Sequence, residues 1–306
     1  ALGNTALDDG SLSGAYNTAI GSASMTANTS GQRNTAIGRT SLEANTTGSY
    51  NVASGYGALR INTSGDSNTA VGYNSMLANQ TGNDNVAVGE GSLDANESGS
   101  SNTAIGKLSL SDNTTASNNT AVGFCSLYSN TTGTQNSALG VQALGLNTTG
   151  NYNSAFGRLA LYDNTTGSNN SAFGLCALSN NTTANDNTAV GFNSLCTNTT
   201  GFYNTGLGKE SLKANTTGRD NTASGWSSLF NNTIGENNTG LGSVSLYANT
   251  EGNANTSVGQ RSMSNNTTGS SNSAIGQTAL CSNTTGCYNV AMGRQALSSN
   301  TTASNN

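Results

Sequence analysis

Residues 34–50 read NTAIGRTSLEANTTGSY, and variants of this 17-residue stretch recur along the chain. Asn occupies every seventeenth residue from Asn17 to Asn306, without an insertion or a deletion. We number the consensus Asn-Thr-Ala-apolar-Gly-x-x-Ser/Ala-Leu-x-x-Asn-Thr-Thr-Gly-x-x as positions 1 to 17. A fixed period of this kind is typical of a solenoid, in which every coil stacks in register on the one before it.

The composition excludes several classes of protein. Charged residues make up 8% of the chain and there is no Pro, whereas disordered chains are usually rich in both. The net charge of −5 is dilute, and ten Lys and Arg residues are too few for a nucleic-acid interface. No apolar run approaches the roughly 18 residues that span a bilayer. We therefore predict a folded chain with no nucleic-acid partner and no membrane span in this segment.

The residues within one repeat favour strands over helices. Seventeen residues are too few for two helices and a turn, and each of the two Gly would cost a helix about 1 kcal/mol. We expect strands at positions 2–4 and 8–10, with corners at Gly of position 5 and at positions 12–15. Each coil is expected to bury three side chains, represented by Ala36, Ile37 and Leu42. The predicted fold is all-β, a parallel β-solenoid of about 18 coils with 17 residues per coil.

The repeats predict a single elongated domain over residues 17–306, preceded by a partial repeat. Residues 1–16 are one residue out of step, because Ala1-Leu2-Gly3 matches positions 3 to 5 and one extra residue follows. The chain opens inside a repeat and without Met, so we expect it to be part of a longer protein.

The segment Asn34-Thr35-Ala36-Ile37-Gly38-x-x-Ser41 resembles the Ser/Thr-x-Ala-Ile-Gly-x-x-Ser repeat in the heads of trimeric autotransporter adhesins of the YadA type. The wider consensus is also similar to repeat shafts of phage tail fibres. The head repeat is shorter, and the extra residues here fall in the Asn-Thr-Thr-Gly corner. The resemblance implies a left-handed β-roll, a homotrimer with its chains side by side, and an extracellular appendage of a cell or virion surface.

Position 12 carries the strongest candidate for chemistry, the Asn-x-Ser/Thr sequon of N-glycosylation. The alternative interpretation is a corner Asn that hydrogen-bonds its own turn, which the coils of Asn232 and Asn249 favour because they keep Asn and lose the sequon. Thr at positions 13 and 14 is a further candidate, for O-linked glycans. The candidate N-glycosylation residues are Asn28, Asn45, Asn62, Asn79, Asn96, Asn113, Asn130, Asn147, Asn164, Asn181, Asn198, Asn215, Asn266, Asn283 and Asn300.

Asn at positions 1 and 12 is expected to stack on identical Asn, because an amide can both donate and accept along a column. The predicted core is thin, so we expect further copies of the chain as partners, in a homotrimer or a head-to-tail filament. The ladder at position 1 begins with Asn17, Asn34, Asn51, Asn68, Asn85 and Asn102.

Five Cys are present, and Cys281 and Cys287 flank one corner as a candidate disulfide. Cys176 and Cys196, on adjacent coils, are a weaker pair. The alternative is that the Cys side chains are small apolar fillers. Without His or a Cys-x-x-Cys motif the sequence predicts no metal site, and we expect no cofactor.

Two surface patterns leave alternatives open. Thr columns at positions 2 and 13 are typical of ice-binding solenoids, but Thr is also an ordinary strand and turn residue. Aromatic residues at positions 6 and 10, including Trp226, suit either chain contacts or stacking on sugars. We predict a structural extracellular fibre or filament, with a glycan coat as a further expectation. An adhesin module that recognises host surfaces or glycans and an ice-binding solenoid are the alternatives, and we expect no enzyme.

Overall fold

The computed structural model describes residues 2–7 and 14–306. The chain is an all-β parallel β-solenoid of about 16 turns with 17 residues per turn, and the described residues contain no helix. The predicted fold class and period are confirmed. Left-handed coiling stays a prediction.

Two compact units, Ala1–Tyr152 and Asn153–Asn306, make up the chain, and each described coil contributes a three-residue strand at positions 2–4. The strands of the first unit are β1 (Thr18–Ile20), β2 (Thr35–Ile37), β3 (Val52–Ser54), β4 (Thr69–Val71), β5 (Val86–Val88), β6 (Thr103–Ile105), β7 (Thr120–Val122) and β8 (Ser137–Leu139). The strands of the second unit are β9 (Ser154–Phe156), β10 (Ser171–Phe173), β11 (Thr188–Val190), β12 (Thr205–Leu207), β13 (Thr222–Ser224), β14 (Thr239–Leu241), β15 (Thr256–Val258), β16 (Ser273–Ile275) and β17 (Val290–Met292). One continuous domain over residues 17–306 stays a prediction.

Consecutive strands within each unit pair in parallel and without a slip. Ala19 of β1 lies opposite Ala36 of β2, and Ala172 of β10 lies opposite Ala189 of β11. Each pairing joins residues 17 apart, so equivalent positions of successive coils form columns. A residue type repeated in the sequence therefore becomes a continuous row of identical side chains in the fold.

Residues 2–7, at the start of the chain, stack on the first coil. Leu2 bridges Ile20 in parallel, 18 residues away, and the N–H of Gly21 donates to the Leu2 carbonyl at 2.7 Å. Gly3 has a φ of 136°, close to the 131° of Gly21, its equivalent at position 5. Leu2 and Gly3 thus lie 18 residues from their equivalents in the next coil, whereas residues 8–13 of this segment lie outside the described residues.

The predicted strand at positions 8–10 is wrong, because positions 6–11 form turns. Thr40 at position 7 and Leu42 at position 9 have φ values of 56° and 49°, in the left-handed region, whereas a parallel strand needs a φ near −120°. These turns still bond from coil to coil, since the N–H of Leu42 donates to the Ala58 carbonyl at 3.0 Å. The backbone therefore satisfies its hydrogen bonds without a second sheet.

The interior of the coil is lined by Ala of position 3, Ser or Ala of position 8, and Leu or Met of position 9. Ala36 and Leu42 are fully buried, as predicted, but Ile37 is 43% exposed and its assignment to the core is wrong. Successive side chains of a strand point to opposite faces, so an inward Ala36 forces its neighbours outward. The apolar residues of position 4 consequently lie on the outer face of the sheet.

Candidate functional site: two buried amide ladders and an outward apolar row

Asn of position 12 forms a hydrogen-bonded ladder inside the corner. The Nδ2 of Asn45 donates to the Oδ1 of Asn28 at 2.8 Å and to the carbonyl of Gly48 at 2.9 Å. The Oδ1 of Asn45 in turn accepts from the Nδ2 of Asn62 at 2.8 Å. Because the side chain is fully buried, both N–H groups and the oxygen are satisfied by protein atoms alone.

Asn of position 1 forms a second ladder parallel to the first. The backbone N–H of Asn51 donates to the Oδ1 of Asn34 at 2.9 Å, and its Nδ2 donates to the Gly65 carbonyl at 2.8 Å. Among the described residues, no buried side-chain nitrogen or oxygen lacks a partner. This ladder contains the residues expected from the sequence, namely Asn17, Asn34, Asn51, Asn68, Asn85 and Asn102.

The two ladders meet at the carbonyl of position 15, which explains the Gly there. The Gly48 carbonyl accepts from the Nδ2 of Asn34 at 2.8 Å and from that of Asn45 at 2.9 Å. A Cβ on Gly48 would lie 2.5 Å from the Oδ1 of Asn45, so the corner is tight. Ala116 occupies the same position and its carbonyl still accepts from two amides. Position 15 therefore needs a small residue.

The candidate N-glycosylation residues lie in the position-12 ladder, and all except the half-buried Asn300 are fully buried. An N-linked glycan would replace one of the two Nδ2 hydrogens, both of which are donated inside the corner. Asn232 and Asn249, in the coils without a sequon, make the same bonds. The folded corner leaves no room for a glycan at the buried nitrogens, and Asn is needed there for the fold itself.

The hydroxyls of the same corner differ in their exposure. The Oγ1 of Thr46, at position 13, donates to the Thr63 carbonyl at 2.9 Å and is half-buried. Thr47, at position 14, is exposed. The O-linked glycans predicted for these positions stay a prediction, and position 14 is where the hydroxyl reaches solvent.

The candidate disulfide between Cys281 and Cys287 is not formed, and both are free thiols. The Cys281 thiol donates to the Ser298 carbonyl at 3.6 Å, and the Cys287 sulfur accepts from the N–H of Ser270 at 3.3 Å. Each thiol is thus engaged with the next or the previous coil rather than across the corner. Cys176 is also free, and burial together with a nearby Cys raises its pKa, which keeps the thiol protonated.

The outer face of the sheet carries a row of half-exposed apolar side chains at position 4. In the second unit Phe156, Phe173, Val190 and Leu207 are 37–40% exposed, and the two Phe rings stack with centroids 4.9 Å apart. Position 2, mostly Thr, points to the same side. An apolar row on the surface of an otherwise polar chain is a candidate contact surface.

Aromatic side chains of positions 6 and 10 form shorter columns on other faces. Tyr56 and Tyr73 stack at 5.4 Å between centroids, and Phe230 and Tyr247 stack at 5.1 Å. Each pair joins equivalent positions of adjacent coils. The repeat thus places aromatic rings in register wherever two successive coils carry them.

Within residues 2–7 and 14–306, no group of three or more His, Cys, Asp or Glu side chains is placed to hold a metal ion. The same residues form no helix of the length and apolar character that crossing a membrane requires. Comparison with protein-family models gives no match for this chain, and a search of curated proteins gives none either.

Proposed function

We propose that this chain is a structural, non-enzymatic element of an extracellular fibre, and that copies of it pack side by side through the position-4 row. The observation that carries the proposal is the outward placement of an apolar residue in nearly every coil. In the second unit eight of the nine strands end in an apolar residue, and Ser224 is the exception. A monomeric protein that had no use for this face would gain solubility from polar residues there.

The spacing of the row favours a second copy as its partner. Parallel strands lie about 4.8 Å apart, so the row presents one apolar group at each such step. A partner that covers the row must carry complementary groups at the same spacing. Another copy of this chain does so, because its own coils have that spacing. Repetition of identical contacts along the row adds area with each coil, which suits an extended assembly.

The test removes the row while keeping the coil. Phe173→Ser, Leu207→Ser and Leu241→Ser in one variant change three half-exposed residues to the residue that Ser224 already supplies in the same column. We expect an unchanged circular dichroism spectrum and a smaller mass in sedimentation equilibrium, because the chains no longer bury the row. The wild-type chain should sediment as an oligomer at micromolar concentration.

A matched control changes three exposed aromatic residues outside the row. Phe192→Ser, Tyr203→Ser and Tyr288→Ser remove as much exposed apolar surface from the second unit. This variant should keep the wild-type mass. A wild-type chain that is monomeric throughout, or a control that dissociates as readily as the row variant, would contradict the proposal.

Ice binding is a second candidate, favoured by the position-2 column. Thr18 and Thr120 are exposed on the same face as the apolar row, and Thr recurs there at the coil spacing. The Thr of position 13 suits this role less, because hydroxyls such as that of Thr46 donate to a backbone carbonyl. Thermal hysteresis of the monomeric row variant and of the wild type would distinguish the two candidates.

A further inference from the structure

A cleft of about 450 Å³ opens on the second unit, and its lining contains no residue of either amide ladder. Trp226, Tyr247 and Arg261 border it, and Gln260 and Ser264 belong to its lining. These residues occupy positions 6, 7 and 10 of three consecutive coils. The volume lies within the range of about 300–1,000 Å³ that is typical of small-molecule sites.

The cleft arises from a change of residue size along two columns. At position 6, Trp226 is followed by Ser243, and at position 10, Tyr247 is followed by Ser264. Ser264 is only 6% exposed and forms part of the floor, while Trp226 is 54% exposed and forms a wall. In the first unit, by contrast, Tyr56 is followed at position 6 by Tyr73, and the two rings stack with centroids 5.4 Å apart.

Two residues of the lining, Tyr247 and Gln260, are held in place by neighbouring coils. The Tyr247 ring stacks on Phe230 with an interplanar angle of 18°, and the Lys213 Nζ lies 5.2 Å from the Phe230 centroid. The Oε1 of Gln260 accepts from the Nε2 of Gln277 at 3.1 Å, which orients the Gln260 amide. A cleft with fixed walls loses little conformational entropy when a ligand enters.

The chemistry of the lining suits a sugar. The exposed Trp226 ring offers a flat face for the C–H groups of a pyranose, and Gln260 and Asn265 offer amides for its hydroxyls. Arg261 is exposed and makes no ion pair among the described residues, so its guanidinium is free to take a carboxylate. We propose that this cleft binds one carboxylate-bearing pyranose ring, as a unit of an acidic polysaccharide.

This site is separate from the surface proposed for packing between chains. The cleft uses positions 6, 7, 10 and 11, whereas the apolar row uses position 4. Variants of the row leave the lining of the cleft unchanged, so the two proposals are tested independently.

Trp226 is the only Trp of the chain, so its fluorescence reports on the cleft alone. Titration of the full chain with oligogalacturonate should change the emission saturably, because a sugar ring stacks on the indole. The neutral counterpart, an oligogalactan of the same length, should bind at least about tenfold more weakly, since it offers nothing to Arg261.

Two variants locate the binding and one serves as control. Tyr247→Ala and Arg261→Gln should each raise the dissociation constant for oligogalacturonate at least about tenfold. Phe192→Ala, at position 6 but outside the cleft, should leave it unchanged. The proposal is overturned if neither fluorescence nor calorimetry detects saturable binding, if the neutral oligomer binds equally well, or if Arg261→Gln has no effect.

Discussion

Asn45 and Ile37 belong to the same coil, and their positions invert the usual distribution of polar and apolar residues. Asn45 is fully buried, while Ile37 is 43% exposed. The amide can be buried because its donors and acceptor are all satisfied by equivalent groups one coil away and by the corner carbonyl. The isoleucine lies outside because the strand has only one inward residue.

The difference shows which residues hold the coil and which are available to a partner. Inside, the columns are nearly invariant, with Asn at position 12 of every full repeat and Leu or Met at position 9. Outside, positions 6, 7, 10 and 11 vary freely. Stability therefore depends on the inner columns, and the recognition that we propose would use the outer ones.

The largest loss of stability is expected when a buried Asn of position 12 is replaced. Asn198→Leu removes three hydrogen bonds, to Asn181, Gly201 and Asn215. It leaves the Oδ1 of Asn181 and one N–H of Asn215 buried without a partner, at about 1–3 kcal/mol each. Urea unfolding should show this loss, whereas Thr200→Ala, at an exposed position of the same corner, should change stability by less than about 0.5 kcal/mol. If both variants lowered the free energy of unfolding equally, the inner and outer columns would not differ in their contribution to stability.

A smaller loss of stability is expected at position 9, where the inner column is apolar and the backbone is left-handed. Leu212 is fully buried with a φ of 51°, a conformation that β-branched side chains rarely adopt. Leu212→Ile keeps the volume but should cost about 1–3 kcal/mol in strain. Leu212→Met should cost less than about 1.5 kcal/mol, because Met25 and Met263 occupy the same position with similar φ. Thermal unfolding of the two variants compares them directly, and an Ile variant as stable as the Met variant would contradict the strain.

The smallest change in stability is expected at Asp112, a partly exposed residue of position 11. Burial, and then the neighbouring Asp94, raise the pKa of Asp112. A carboxyl whose pKa is raised by folding favours the folded state only when protonated, and this contribution is lost as the pH rises through the folded pKa. Asp112→Asn should therefore be more stable than the wild type at pH 7, by less than about 1 kcal/mol because the side chain is partly exposed.

The gain of the Asp112 variant should disappear at acid pH, below about 3.9, where the carboxyl is protonated in both states. Thermal unfolding at pH 7 and pH 3 measures both values. A variant that is less stable than the wild type at pH 7 would show that the charge of Asp112 is favourable in the fold.

The period and the residue types were enough to predict the solenoid, the strand at positions 2–4, the buried Leu of position 9 and the stacking of Asn. The alternation along a strand also predicts an outward Ile37 once Ala36 is placed inside, because adjacent side chains of a strand point to opposite faces. The left-handed backbone at positions 7 and 9 was harder to foresee, since Leu42 gives no sign of it. Gly57 and Gly91, at position 7, were the available signal.

The candidate sites also differ in how far the sequence predicts them. The sequon at position 12 is a pattern of residue types, and only the fold shows that its nitrogen faces inward while the hydroxyl two residues later faces solvent. The cleft beside Trp226 depends on which side chains of neighbouring coils are small. Ser243 and Ser264 belong to no motif. The sequence therefore indicates Trp226 as a candidate contact residue but does not predict the cleft beside it.

The hydrogen bonds that join coils link residues about 17 apart, and this determines how such a chain can fold and vary. No long loop has to close before a coil gains its contacts, because each coil needs only the one before it as a template. Folding should then propagate along the chain from any formed pair of coils. By the same reasoning, a gain or loss of whole 17-residue units within a unit leaves every remaining interface unchanged, so the length of the protein can evolve without redesign of its core.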